Sequence, residues 1–138
     1  MGFGLELALE TESTELPLDA IEGSWPYILL ERVSKAVVAH EHVREAAKAG
    51  LFAVEVDGKG LPASLVTPEG RVGVLLAMAS HTLPRLFSTP FGDVRLVTVK
   101  ALLPAEWDDV TKRGEKGMKE LARRFAETGE EHVSRASR

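Results

Sequence analysis

The chain has 138 residues, 44% hydrophobic and 28% charged, with a net charge of −4 and no cysteine. That length fits one domain, which buries about two-thirds of its unfolded surface and needs no covalent staples. Lack of cysteine excludes disulfides, thiolate metal sites and cysteine nucleophiles, and fits a reducing, cytoplasmic setting. Residues 1–60 carry a net −6, residues 61–111 a net −1 and residues 112–138 a net +3. An acidic body disfavours nonspecific contact with nucleic acid. The basic C-terminal stretch interleaves its signs, as a solvated helix face does.

The N-terminus, Met1-Gly2-Phe3-Gly4-Leu5-Glu6, has neither a basic region nor a long apolar run and does not read as a secretory signal. Phe3, Leu5, Leu7 and Leu9 alternate with Gly4, Glu6, Ala8 and Glu10, which predicts a half-buried strand. Thr11 to Gly23 is an acidic connection around Pro17. Its Glu12, Glu15, Asp19 and Glu22 are the candidate partner-binding residues, because a carboxylate cluster speeds association with a basic surface. Ser24 is placed to cap a helix that has Pro26 in its first turn. Leu29, Leu30, Val33, Val37 and Val38 give that helix a core-facing stripe, which weakens after Ala39, so that His40 to Lys48 reads as a separate piece.

Leu51–Val56 predicts a second strand, followed by the turn Asp57-Gly58-Lys59-Gly60. Arg71–Ala79 predicts a third; its run Val74-Leu75-Leu76 does not alternate, as in a strand covered on both faces. Within it, Val72–Ala79 is the longest apolar stretch of the chain and is too short to span a bilayer. Ser80–Gly92, with Pro84 and Pro90, reads as a loop. Asp93–Leu103 is a fourth strand whose apolar phase shifts midway, as a bulge or double coverage would require. Pro104-Ala105-Glu106-Trp107 opens a helix that Gly114 and Gly117 divide. Met118, Leu121, Ala122 and Phe125 then form one apolar stripe. The expected fold is α+β: a mixed or antiparallel sheet of about four or more strands packed with two main helices. Residues 1–128 form the domain, and 129–138 a fraying tail.

No catalytic, cofactor-binding or metal-ligating set assembles along the chain. In His40-Glu41-His42 the imidazoles are two apart, which on a helix puts them on different faces. Ala79-Ser80-His81-Thr82, with Asp93 downstream, lacks the glycine elbow of a serine hydrolase. Gly2-x-Gly4 precedes a strand and Gly58-x-Gly60 sits in a turn, so neither is a dinucleotide loop. Asp108-Asp109 lies at a helix start, where the dipole favours carboxylates. Trp25 and Trp107 stand at helix entrances and read as packing residues.

Four segments in order resemble suppressor of fused domains. Gly2-Phe3-Gly4-Leu5-Glu6-Leu7 resembles that family's first strand, and Trp25-Pro26-x-x-Leu29-Leu30-x-x-Val33 its Trp-Pro helix. Ser88-Thr89-Pro90-Phe91-Gly92-Asp93-Val94-x-Leu96 is similar to its Thr-Pro-aromatic-Gly turn and following strand, and Pro104-Ala105-Glu106-Trp107 is placed like its next helix start. The resemblance implies a non-enzymatic domain that binds and restrains another protein, as a bacterial immunity or regulatory protein does. The family's N-terminal segment and second lobe have no counterpart here. Lys35-Ala36-Val37-Val38 stands where animal members carry an Arg-Tyr-Val-Phe-like segment, so no peptide-binding residue transfers. The alternatives are a self-associating domain, a homodimer through an open strand edge, and a small hydrolase using His81 or His42. No cofactor, nucleic acid or membrane is expected as a partner.

Overall fold

The computed structural model describes residues 4–11, 23–80 and 83–136. Nine elements follow in order: β1 (Leu5–Ala8), α1 (Trp25–Ala39), α2 (Glu41–Ala49), β2 (Phe52–Asp57), β3 (Arg71–Leu76), β4 (Leu86–Thr89), β5 (Gly92–Ala101), α3 (Pro104–Arg113) and α4 (Glu115–Glu127). The α+β expectation holds. The sheet is mixed, with path β1-β5-β3-β2 and β4 also on β5; among these strands β1–β5 is the parallel pair and the other three pairings are antiparallel.

Successive N–H groups of β5 point to opposite sides, as strand geometry dictates. Arg95 N–H donates to the Gly4 carbonyl, toward β1. Leu96 N–H donates to the Arg85 carbonyl, while the Thr98 carbonyl accepts from Ala77 N–H. β3 and β4 therefore lie end to end along the same side of β5, interrupted by residues 77–85. The expected loop over Ser80–Gly92 thus contains a strand, β4. The two neighbouring prolines hide it, because four residues between breakers carry little periodic signal.

Each main helical segment is split in two. The His40 N–H closes α1 on the Ala36 carbonyl, and the His40 carbonyl accepts from Val43 and Arg44 to open α2. The Arg44 guanidinium reaches back to the Val37 carbonyl at 3.1 Å, satisfying an orphan acceptor at the end of α1. Ser24 occupies the N-cap position of α1 without a side-chain capping bond; instead its carbonyl accepts from Ile28 N–H. Gly114, at φ 62°, separates α3 from α4. A side chain at Gly117 would lie 2.9 Å from the Asp109 carbonyl, so glycine lets the two helices approach.

The sheet carries a core on each face. Leu29, Val33 and Val37 of α1 and Val43 and Ala47 of α2 pack with Val74 and Val97. On the other face Leu121 and Phe125 of α4 and Val110 of α3 pack with Leu75 and Leu102. β3 contributes to both, Val72, Val74 and Leu76 to the first and Leu75 to the second, which accounts for its unbroken apolar run. The second half of β5 turns Val97, Val99 and Ala101 to the first and the buried Thr98 and Lys100 to the other side. Trp107 lies on bare backbone: a Cβ at Gly73 would fall 2.4 Å from its indole carbons.

Residues 129–136, expected to fray, are packed. Ser134 N–H donates to the Glu10 carbonyl, and its hydroxyl donates to Val99 O while accepting from Ala101 N–H. His132 is 2% exposed and its Nε2 lies 2.9 Å from Glu10. The fully buried Lys100 ammonium lies 3.0 Å from Glu130, bonds the Val133 carbonyl and sits 4.2 Å from the Phe125 ring centre. The tail is held by polar contacts to distant strands, which its own sequence pattern cannot announce.

Candidate interaction surface

The β4–β5 hairpin is built around a two-residue loop, Pro90-Phe91, closed by the Thr89–Gly92 pair. Proline presets one loop dihedral, and Gly92 takes φ 121°, which a side chain would resist. The Thr89 hydroxyl donates to the Gly92 carbonyl at 2.7 Å and accepts from Phe91 N–H at 3.1 Å. One residue pair further along the hairpin, the Ser88 hydroxyl donates to Asp93 Oδ1 at 2.9 Å. This polar bracing fixes the loop and leaves Phe91 standing out, 89% exposed.

Leu86 and Phe87 follow it, at 49% and 38% exposed. Among the described residues the other exposed large apolar side chains are Tyr27 and Val38 on α1. Single exposed apolar residues are ordinary, but a cluster within six residues of one hairpin is not. Phe87 pairs across to Val94, whereas Leu86 pairs to Arg95 and points to the opposite face. The hairpin is thus apolar on both sides.

Next to it lies a groove of about 460 Å³. Gly4, Leu5 and Glu6 form one wall; Thr89, Phe91, Asp93 and Val94 contribute the other. Two carboxylates, Glu6 and Asp93, thus flank an otherwise mainly apolar groove. Such a site favours an apolar side chain accompanied by a cation.

The other candidates are scattered. Glu12, Glu15, Asp19 and Glu22 lie outside the described residues, as does His81. Thr11, the last described residue before that acidic stretch, pairs with Ser134, at the far end of β1 from the groove. His40 is the junction between two helices rather than a helical residue, so its ring lies 5.8 Å from that of His42. This corrects the different-faces expectation; among the described residues no group of three or more metal-ligating side chains gathers there or elsewhere. The Ser80 hydroxyl accepts from Leu83 N–H at 3.0 Å, a local turn contact. Asp108 and Asp109 pair with Lys112 and Arg113 along α3, at 2.9 and 3.5 Å.

The hairpin motif Thr89-Pro90-Phe91-Gly92 was legible as a turn; Leu86 and Phe87 were not singled out. The available signal was the pair of large apolar residues lying between Pro84 and Pro90, in a stretch otherwise read as loop. Against protein-family profiles, curated proteins and solved structures, the chain finds no match. No helix among the described residues is long and apolar enough to cross a membrane.

Proposed function

We propose that this chain is a non-enzymatic, cytoplasmic protein-interaction domain of the suppressor of fused type, and that it grips its partner with the β4–β5 hairpin and the adjoining groove. The observation that carries this reading is the exposure of Leu86, Phe87 and Phe91 on one braced hairpin. Fully burying a side chain such as Phe91 contributes about 2–3 kcal/mol, and rigid aromatic anchors typically dominate interfaces. Two of the four resembling segments, Gly2–Leu7 and Ser88–Leu96, supply the groove's lining residues. That coincidence supports a binding role, including one of restraining a partner as an immunity or regulatory protein does. The partner segment it fits is apolar and basic.

The test replaces Phe91 with a photo-crosslinking aromatic residue in the native host, with Val38 on α1 as the control position. A defined adduct from position 91 and none from position 38 supports the reading; equal labelling from both, or none from either, overturns it.

Self-association is a second reading, favoured by one observation: among the described residues β4 pairs only with β5, which leaves its outer edge open. Sedimentation at high concentration separates the two. A dimer dissociated by Phe87→Ser favours self-association, and a persistent monomer removes it.

A further inference from the structure

A second cavity, of about 590 Å³, opens between α4 and the segment leaving β3. It is separate from the hairpin groove and opposite in charge. Its apolar surface comes from Leu51, Met78, Ala122 and Ala126, and three cations, Arg85, Lys119 and Arg123, stand around it with one carboxylate, Glu131. In a chain of net charge −4, a cavity with a cationic excess selects for an anion.

The local sequence explains the space. Lys119, Ala122, Arg123 and Ala126 follow one another at helical spacing on α4, so small residues alternate with long cations along one helix face. Alanine leaves room where leucine would fill it. Lys119 and Arg123 are engaged in exposed pairs with Glu115 at 2.9 Å and Glu127 at 2.6 Å. Such pairs are worth little and are readily exchanged for a ligand's charge. Arg85 makes no ion pair with another described residue.

The backbone marks the same place. Among the described residues two non-glycines take positive φ, Ala77 at 64° and Glu131 at 49°. Both line this cavity. Strained backbone concentrates at ligand sites, and the volume falls within the range of about 300–1,000 Å³ typical of ligand pockets.

We propose that this cavity binds an amphiphilic carboxylate, a free acid with a medium-length hydrocarbon chain. The chain would lie over Met78 and Leu51, and the head would be held by Lys119, Arg123 and Arg85.

Calorimetric titration of the full chain with decanoate tests this, with decanol as the tail alone and acetate as the head alone. One decanoate per chain is expected, with both controls weaker by about tenfold or more. Lys119→Ala combined with Arg123→Ala should weaken decanoate about tenfold or more. Ala122→Leu should abolish binding, and Lys112→Ala, on α3, should leave it unchanged. If Ala122→Leu fails to fold, Ala126→Leu at an exposed helix position gives the same reading. Absence of saturable decanoate binding, equal binding of decanol or acetate, or full binding by the filled-in variant would overturn the proposal.

Discussion

The two halves of β5 contrast sharply in burial. Gly92 and Asp93 are exposed, Val94 to Leu96 are half-buried and Val97 to Ala101 are buried, all within ten consecutive residues. The buried half lies between two helix layers, pairs with β3 and is closed on its other side by Ser134. The exposed half is held between β1 and β4, with Phe91 beyond it in water. Both halves have strand partners, but only the second is covered by helices among the described residues. One strand thus serves as the anchor of the fold at one end and as a presented surface at the other. Substitutions in the buried half should change stability, and those in the exposed half should change association alone.

The largest effect is expected at the buried charge. Glu130→Ala removes a carboxylate from the buried Lys100 ammonium, which keeps the Val133 carbonyl and the Phe125 ring. It should cost about 3 kcal/mol, since breaking a buried ion pair is strongly destabilising. Urea denaturation reads this directly, and a loss below about 1 kcal/mol, the scale of a surface pair, would make the site an ordinary surface contact. A smaller loss is expected for Ser134→Ala, which leaves the buried Ala101 N–H without its acceptor. An unsatisfied buried donor costs about 1–3 kcal/mol. Amide exchange at Ala101 should accelerate while exchange at Leu96 holds, and unchanged exchange at both would detach the tail from the buried half.

Local patterning in the sequence carries part of this contrast. The doubly covered run of β3 was readable, because burial on both faces removes alternation. In β5 Thr98 and Lys100 alternate with Val97, Val99 and Ala101, so the burial of all five residues was not readable. The helix breaks near Ala39 and at Gly114 were readable, where the apolar stripe stops or glycine intervenes. The docked tail was not: His132 and Ser134 are fixed by Glu10, Val99 and Ala101, contacts across 33 or more residues that no local pattern carries. Nor was β4, whose four residues sit between two prolines. The proposed interaction surface was half legible, its turn from Thr89-Pro90-Phe91-Gly92 and its apolar strand not at all. The acidic residues Glu12, Glu15, Asp19 and Glu22 are marked in the sequence by charge alone, which reports on association and not on fold.

The smallest effect is expected at the exposed α3–α4 junction. Arg113, beside Glu120, holds that carboxylate below its usual range by hydrogen bonding and charge. A depressed carboxylate contributes stability above its unfolded pKa of about 4.3, and loses it as pH falls through the folded value. Glu120→Gln should therefore melt slightly lower than the parent at neutral pH, with the difference vanishing in acid and in high salt. A gap that widens in acid would contradict the assignment.

The most direct measurement of the contrast along β5 is the paired response of Phe87→Ser with Phe91→Ser. Unfolding free energy should stay within about 1 kcal/mol of the parent, because surface substitutions away from packed features are usually worth about 0.5 kcal/mol each. Binding of the partner identified through position 91, measured by calorimetry, should fall by at least about a hundredfold, the loss of two aromatic anchors. A variant that binds as tightly as the parent, or one that unfolds along with losing its partner, would contradict a hairpin built for presentation.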